Sequence, residues 1–136
     1  MNKQLLYPMI VQILLTTIIL LRTGYCRFQS LRIGQTKIKD IALGQDAWPE
    51  AALKAANSFN NQFQLPILFY VAILVSLFLQ INSQVLQILA WFFVITRILH
   101  AYVHITSNHV PTRFRFFLAG FITINITWIF IAFQIL

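Results

Sequence analysis

Acidic residues are scarce in this chain: among 136 residues only Asp40, Asp46 and Glu50 carry carboxylates, against ten Lys and Arg. Cys26 is the single cysteine, so no disulfide can close within the chain and no cysteine metal cluster can form. Four glycines, at 24, 34, 44 and 120, make no glycine-rich phosphate loop. No Ser, His, Asp ordering suggests a triad, and neither an internal repeat nor a low-complexity tract is present. What the chain holds in abundance is oil: 59 % hydrophobic residues and 13 Phe, with a mean hydropathy of +0.75. A small soluble core could not hide that much apolar surface, so the expected solvent is a bilayer. In a soluble protein a formal charge of +7 would point to nucleic acid. Beside long apolar runs it points instead to anionic headgroups or an anionic ligand at the membrane edge, and no nucleic-acid partner is expected.

A hydrocarbon core about 30 Å thick requires roughly 20 mostly apolar helical residues. Four stretches qualify: LLYPMIVQILLTTIILL from Leu5, a segment entering at Ala51 and running through PILFYVAILVSLFLQI to Ile81, VLQILAWFFVITRILHAYVHI from Val85, and FFLAGFITINITWIFIAFQIL from Phe116. The expected architecture is all-α, a single transmembrane four-helix bundle over 1–136, with helices at about 5–22, 50–81, 85–106 and 112–135. Lys3 precedes the first run, but Arg22 closes it without a small-x-small cleavage pattern, so it reads as a retained span. The Asn82-Ser83-Gln84 turn makes the second and third spans an antiparallel hairpin. A long connection from Arg22 to Pro49 follows the first span, and Trp48-Pro49-Glu50 marks the next helix start.

Arg22, Arg27, Arg32, Lys37, Lys39, Arg113 and Arg115 lie after the first and third spans, while the Asn82-Ser83-Gln84 turn and the C-terminus carry no Lys or Arg. Basic connections stay cytoplasmic, which places both termini on the other side.

Two polar stripes interrupt the oil. Lys54, Asn57, Asn61 and Gln64 follow helical spacing on the second span, and Arg97, His100 and His104 do so on the third. Antiparallel neighbours bring both stripes toward one membrane surface. Ionisable groups within a span face the bundle interior or a wet cavity. The blander alternatives are interhelical hydrogen-bond glue for the amides, headgroup snorkelling for Arg97, and positive-inside anchoring for Arg113 and Arg115. His100 and His104 lack an acidic partner in their segment and an HExxH pattern, so no metal site is expected. Pro66, two residues beyond Gln64, kinks the helix and frees a carbonyl, which suits a cavity mouth.

AANSFNNQFQLPILFYVAIL and AWFFVITRILHAYVHITSNHVPTRFRFF together resemble the MAPEG family, the membrane-associated proteins of eicosanoid and glutathione metabolism. They are similar to small bacterial members, whose second helix reads N-x-F-x-N-x-F-E-x-P-V-L-F-Y and whose third reads R-x-x-H-x-x-x-H. The resemblance runs from about Gly34 to Trp128. It implies a homotrimer holding glutathione as co-substrate between subunits near the cytoplasmic side, and a transferase or peroxidase acting on lipophilic electrophiles in the bilayer. Lys54, Asn57, Asn61, Gln64, Arg97, His100 and His104 would bind glutathione, and Arg113 would favour its thiolate. Gln64 stands where the pattern has Glu, and Lys54 where Arg is usual, so a neutral amide and a point charge replace stronger groups. The resemblance also implies an inner-membrane location. The competing expectation is a non-catalytic protein of the same fold that binds a lipid headgroup or another anion.

Overall fold

The computed structural model describes residues 3–136 and contains helices but no strand among them. In the bilayer each backbone N–H and C=O must find a partner within its own segment, which drives β-branched Ile and Val runs into helix despite their modest propensity in water. Helix α1 spans Leu6–Arg32 after a short 3₁₀ turn at Lys3–Leu5. Helix α2 spans Glu50–Asn61 and α3 spans Leu65–Phe78. Helices α4, Gln84–Ile105, and α5, Val110–Ile135, complete the chain. Four helical segments are long and apolar enough to cross a membrane, α2 and α3 together making the second.

Helix α1 extends ten residues past Arg22, into the stretch expected to be a connection. Nothing in Thr23–Arg32 stops it: there is no proline, and Thr23 Oγ1 donates back to the Ile19 carbonyl at 2.9 Å. The stop comes at Gly34, whose φ of 75° closes the helix. Gln35 N–H donates to Ser30 O at 3.0 Å and Gly34 N–H to Leu31 O at 3.2 Å, the paired bonds of a Schellman end. A 3₁₀ turn at Ile38–Ile41 follows. The connection is tied down where Ser30 Oγ meets Thr36 Oγ1 at 2.6 Å, Thr36 Oγ1 donates to Ala47 O at 3.0 Å, and Arg27 lies 5.0 Å over the Trp48 ring.

The second span is interrupted rather than merely kinked. Gln64 takes φ −97° and ψ −102°, outside helical values, and Pro66 lies in the first turn of α3. Proline is tolerated there because an N–H at that position has no intrahelical partner.

Inside the bundle, Phe69 and Phe93 stack at 4.7 Å among buried Leu5, Ile73, Leu86, Ile124 and Ile131. Helix α4 packs against α5, and at Gly120 an added Cβ would stand 3.0 Å from Thr96 Oγ1. Leu21, Phe78 and Phe133 are among many large apolar side chains facing outward. A soluble protein rarely exposes so continuous an apolar surface, and lipid is its complement.

Candidate functional site

Helix α4 carries the most costly polar group of the bundle. Arg97 is fully buried, about 16 Å along the helix from Leu86 at roughly 1.5 Å per residue, which puts it near mid-bilayer. Its Nη2 donates to the Asn61 carbonyl at 3.1 Å, where α2 ends and the only backbone bond to that oxygen among the described residues is a long one from Gln64 N–H at 3.4 Å. Nε and Nη1 are buried and have no hydrogen-bond partner among the described residues. An Arg at a membrane helix centre costs about 2.5–3.5 kcal/mol on insertion scales. One charge-assisted hydrogen bond returns about 1.5–3 kcal/mol, so the guanidinium calls for further acceptors.

His100 and His104 continue the stripe one turn at a time, both 2 % exposed, with rings 5.6 Å apart and His100 6.1 Å from Phe117. Each has a buried Nδ1 without a partner. The interruption in the second span, α4 and the start of α5 together enclose a cavity of about 170 Å³ lined by Asn61, His100, Val110, Arg113, Phe114 and Phe117. Arg113 enters it in the first turn of α5, held by Nη1 donating to Asn108 Oδ1 at 2.7 Å. Asn108 has φ 52°, a left-handed conformation that Asn tolerates better than most residues.

The model of the MAPEG family matches residues 5–133 of the chain. This protein belongs to the MAPEG family. Neither a curated protein nor a solved structure matches it. Family membership and four spans together make it a multi-pass integral membrane protein.

Within this MAPEG protein, the residues singled out in the sequence fall into separate places. Asn61, His100 and Arg113 line one cavity, and Arg97 and His104 flank His100 by one helical turn without lining it. Lys54 lies elsewhere, its Nζ 2.6 Å from Glu50 Oε1 and 3.4 Å from the Thr106 carbonyl, at a larger cavity of about 640 Å³. Asn57 is exposed and borders a third cavity with Arg27 and Gln45. Gln64, at the interruption, is exposed. The four-residue stripe on the second span does not remain one face, because the helix ends at Asn61 before Gln64 is reached.

Two groups escaped the sequence reading. Asn108 orients Arg113, and its place in the short Thr106–His109 connection gave little hint of that. Gln12 and Gln62, 0 % and 1 % exposed, join α1 to the interruption through Gln12 Nε2 and Gln62 Oε1 at 3.1 Å. A lone amide in the apolar run from Leu5 to Leu21 was the available signal.

Proposed function

We propose that this MAPEG protein is a glutathione-dependent transferase or peroxidase acting on lipophilic electrophiles at the membrane. The observation that carries this reading is the single cavity joining Arg113, His100 and Asn61, with Arg97 buried one turn from His100 and short of acceptors. Such a wall suits a small anion bearing a thiol. The Arg113 guanidinium favours the thiolate by charge, and in a partly dry site that attraction exceeds its value in water. The thiol proton passes to water. In the transferase reaction the sulfur attacks carbon, a carbon–sulfur bond forms and the leaving group departs with its electron pair. In the peroxidase reaction the sulfur attacks a peroxide oxygen, the O–O bond breaks to release the alcohol, and a second glutathione thiol completes the disulfide with loss of water.

A ligand pocket ordinarily spans about 300–1,000 Å³, so about 170 Å³ receives only the thiol end of a tripeptide. The remainder needs a wall that one subunit lacks, which favours a homotrimer with the site between neighbours. The basic end of α1 and its connection would face the cytoplasm, with both termini on the opposite side of a bacterial inner membrane.

Calorimetry of glutathione against detergent-solubilised wild type and Arg113→Ala tests the reading, followed by thiolate ultraviolet absorbance across pH. Binding with a thiolate signal that Arg113→Ala abolishes supports it. Glutathione bound only as thiol would leave the second reading, a non-catalytic anion-binding member. That reading is favoured by Gln64, which is exposed and brings no carboxylate to the cavity.

A further inference from the structure

A cavity of about 640 Å³ lies apart from the one holding Arg113 and contains both signs of charge. Its level in the membrane follows from helix rise. Leu5 and Leu86 share one end of the core. Arg22 is about 26 Å along α1 from Leu5, and Ile105 about 28 Å along α4 from Leu86, at roughly 1.5 Å per residue. Both distances approach the roughly 30 Å hydrocarbon thickness, so Arg22, Lys54 and Ile105 ring the cavity at headgroup depth.

Arg22 lies on the α1 wall, 6.0 Å over the Tyr25 ring, and an interfacial tyrosine beside a cation is typical of a membrane boundary. Glu50 and Lys54 stand on the α2 wall as an ion pair. A carboxylate has about four lone-pair sites, so Glu50 can accept from a second ammonium while holding Lys54. Below Arg22 the same face of α1 continues as Ile18 and Leu14, 60 % and 53 % exposed, one and two turns down. Cations, a carboxylate and an apolar lane thus follow one another from the membrane edge inward.

We propose that this cavity binds an ethanolamine phospholipid, its phosphate between Arg22 and Lys54, its ammonium at Glu50 and an acyl chain along Ile18 and Leu14. Phosphate alone would leave Glu50 facing an anion, and a choline headgroup offers no N–H to the carboxylate. Lys54 is among the residues the family resemblance gave to glutathione, but it lines this cavity and not the one holding Arg113, and Arg22 and Glu50 belong to neither the resemblance set nor that cavity.

Native mass spectrometry tests it on full-length protein equilibrated with equal amounts of dioleoyl phosphatidylethanolamine, phosphatidylcholine and phosphatidylglycerol. Wild type retains the ethanolamine lipid in excess of the other two. Arg22→Ala lowers that adduct about fivefold, the scale of one basic residue at a lipid surface, and Arg22→Lys restores most of it. Glu50→Gln removes the preference for ethanolamine over choline. Free phosphoethanolamine at equal concentration does not displace the lipid. Equal retention of the three lipids by wild type, an unchanged adduct in Arg22→Ala, or displacement by free phosphoethanolamine would each overturn the proposal. Glutathione affinity of Arg22→Ala stays at the wild-type value, which separates loss of the lipid site from misfolding and from failure of the thiol site.

Discussion

Arg113 and Arg97 are both guanidiniums on the polar side of the bundle, yet their surroundings assign them different work. Arg113 lines the cavity and is held by one neutral amide oxygen, leaving donors to face a ligand. Arg97 is sealed in and spends Nη2 on a backbone carbonyl. Arg113→Ala should therefore lower the thiolate fraction of bound glutathione about tenfold at neutral pH, equivalent to about one pKa unit, with a smaller change in affinity. The sign follows from charge: losing the cation raises the thiol pKa, so thiolate is lost at every pH below the raised value. Absorbance titration beside calorimetry separates the two effects. Asn108→Gly offers a finer test, because Gly keeps the left-handed turn while deleting the amide that holds Arg113. The expected outcome is an unchanged melting temperature with a weaker thiolate signal. An undiminished signal would show that Arg113 needs no such support.

Between elements, the Gln12–Gln62 bond staples α1 to the interruption beside the Asn61 carbonyl that Arg97 bonds. Gln62 Nε2 also donates to Ser58 O at 3.2 Å, so one side chain links α2, the break and α1. Interhelical bonds of this kind in a bilayer contribute about 0.6 kcal/mol, rising to about 1.7. Gln12→Leu should cost about 1 kcal/mol by stranding its partner, and Gln12→Leu with Gln62→Leu should cost less than the sum of the two changes. Unfolding of each variant in mixed micelles reads this, with additive costs as the contrary result. Gly120 is the other contact between elements that admits a clear test. Gly120→Ala presses a methyl against Thr96 Oγ1 at 3.0 Å, and overpacking there should cost about 1–3 kcal/mol. Adding Thr96→Ala should recover part of that loss.

At the scale of the whole molecule, the proposed glutathione site predicts assembly, because a cavity of about 170 Å³ receives only part of a tripeptide. Detergent-solubilised protein should appear as a trimer by native mass spectrometry, whereas a dominant monomer would remove the intersubunit site. Orientation is best read from an introduced thiol, because Cys26 is buried in the packing around Trp48. Gly44 lies exposed in the connection after α1, and an added Cβ there meets nothing within 4 Å. Gly44→Cys should resist impermeant maleimide in intact cells and react after lysis. Labelling before lysis would invert the proposed topology.

The number of spans was legible without coordinates, because a bilayer demands about 20 apolar residues per crossing and the chain writes that demand four times. The NSQ turn joins α3 to α4, yet the close backbone packing of the second span on the third is made by α2, and α3 meets α4 through the Phe69–Phe93 stack. Helix ends were less legible where the oil stops but the helix does not: α1 continues on local hydrogen bonds until Gly34 offers a left-handed exit. Side-chain spacing put Asn61, His100 and Arg113 among the candidates. It could not show that α2 ends at Asn61, since the break depends on how the segment before Pro66 packs against α1 and α4. That break leaves Gln64 exposed, sends Gln62 to Gln12 and turns the Asn61 carbonyl toward Arg97. Hydropathy is a property of each segment and survives in one dimension. Which polar groups share a cavity depends on three helices meeting at one depth and rotation, and only tertiary packing decided that.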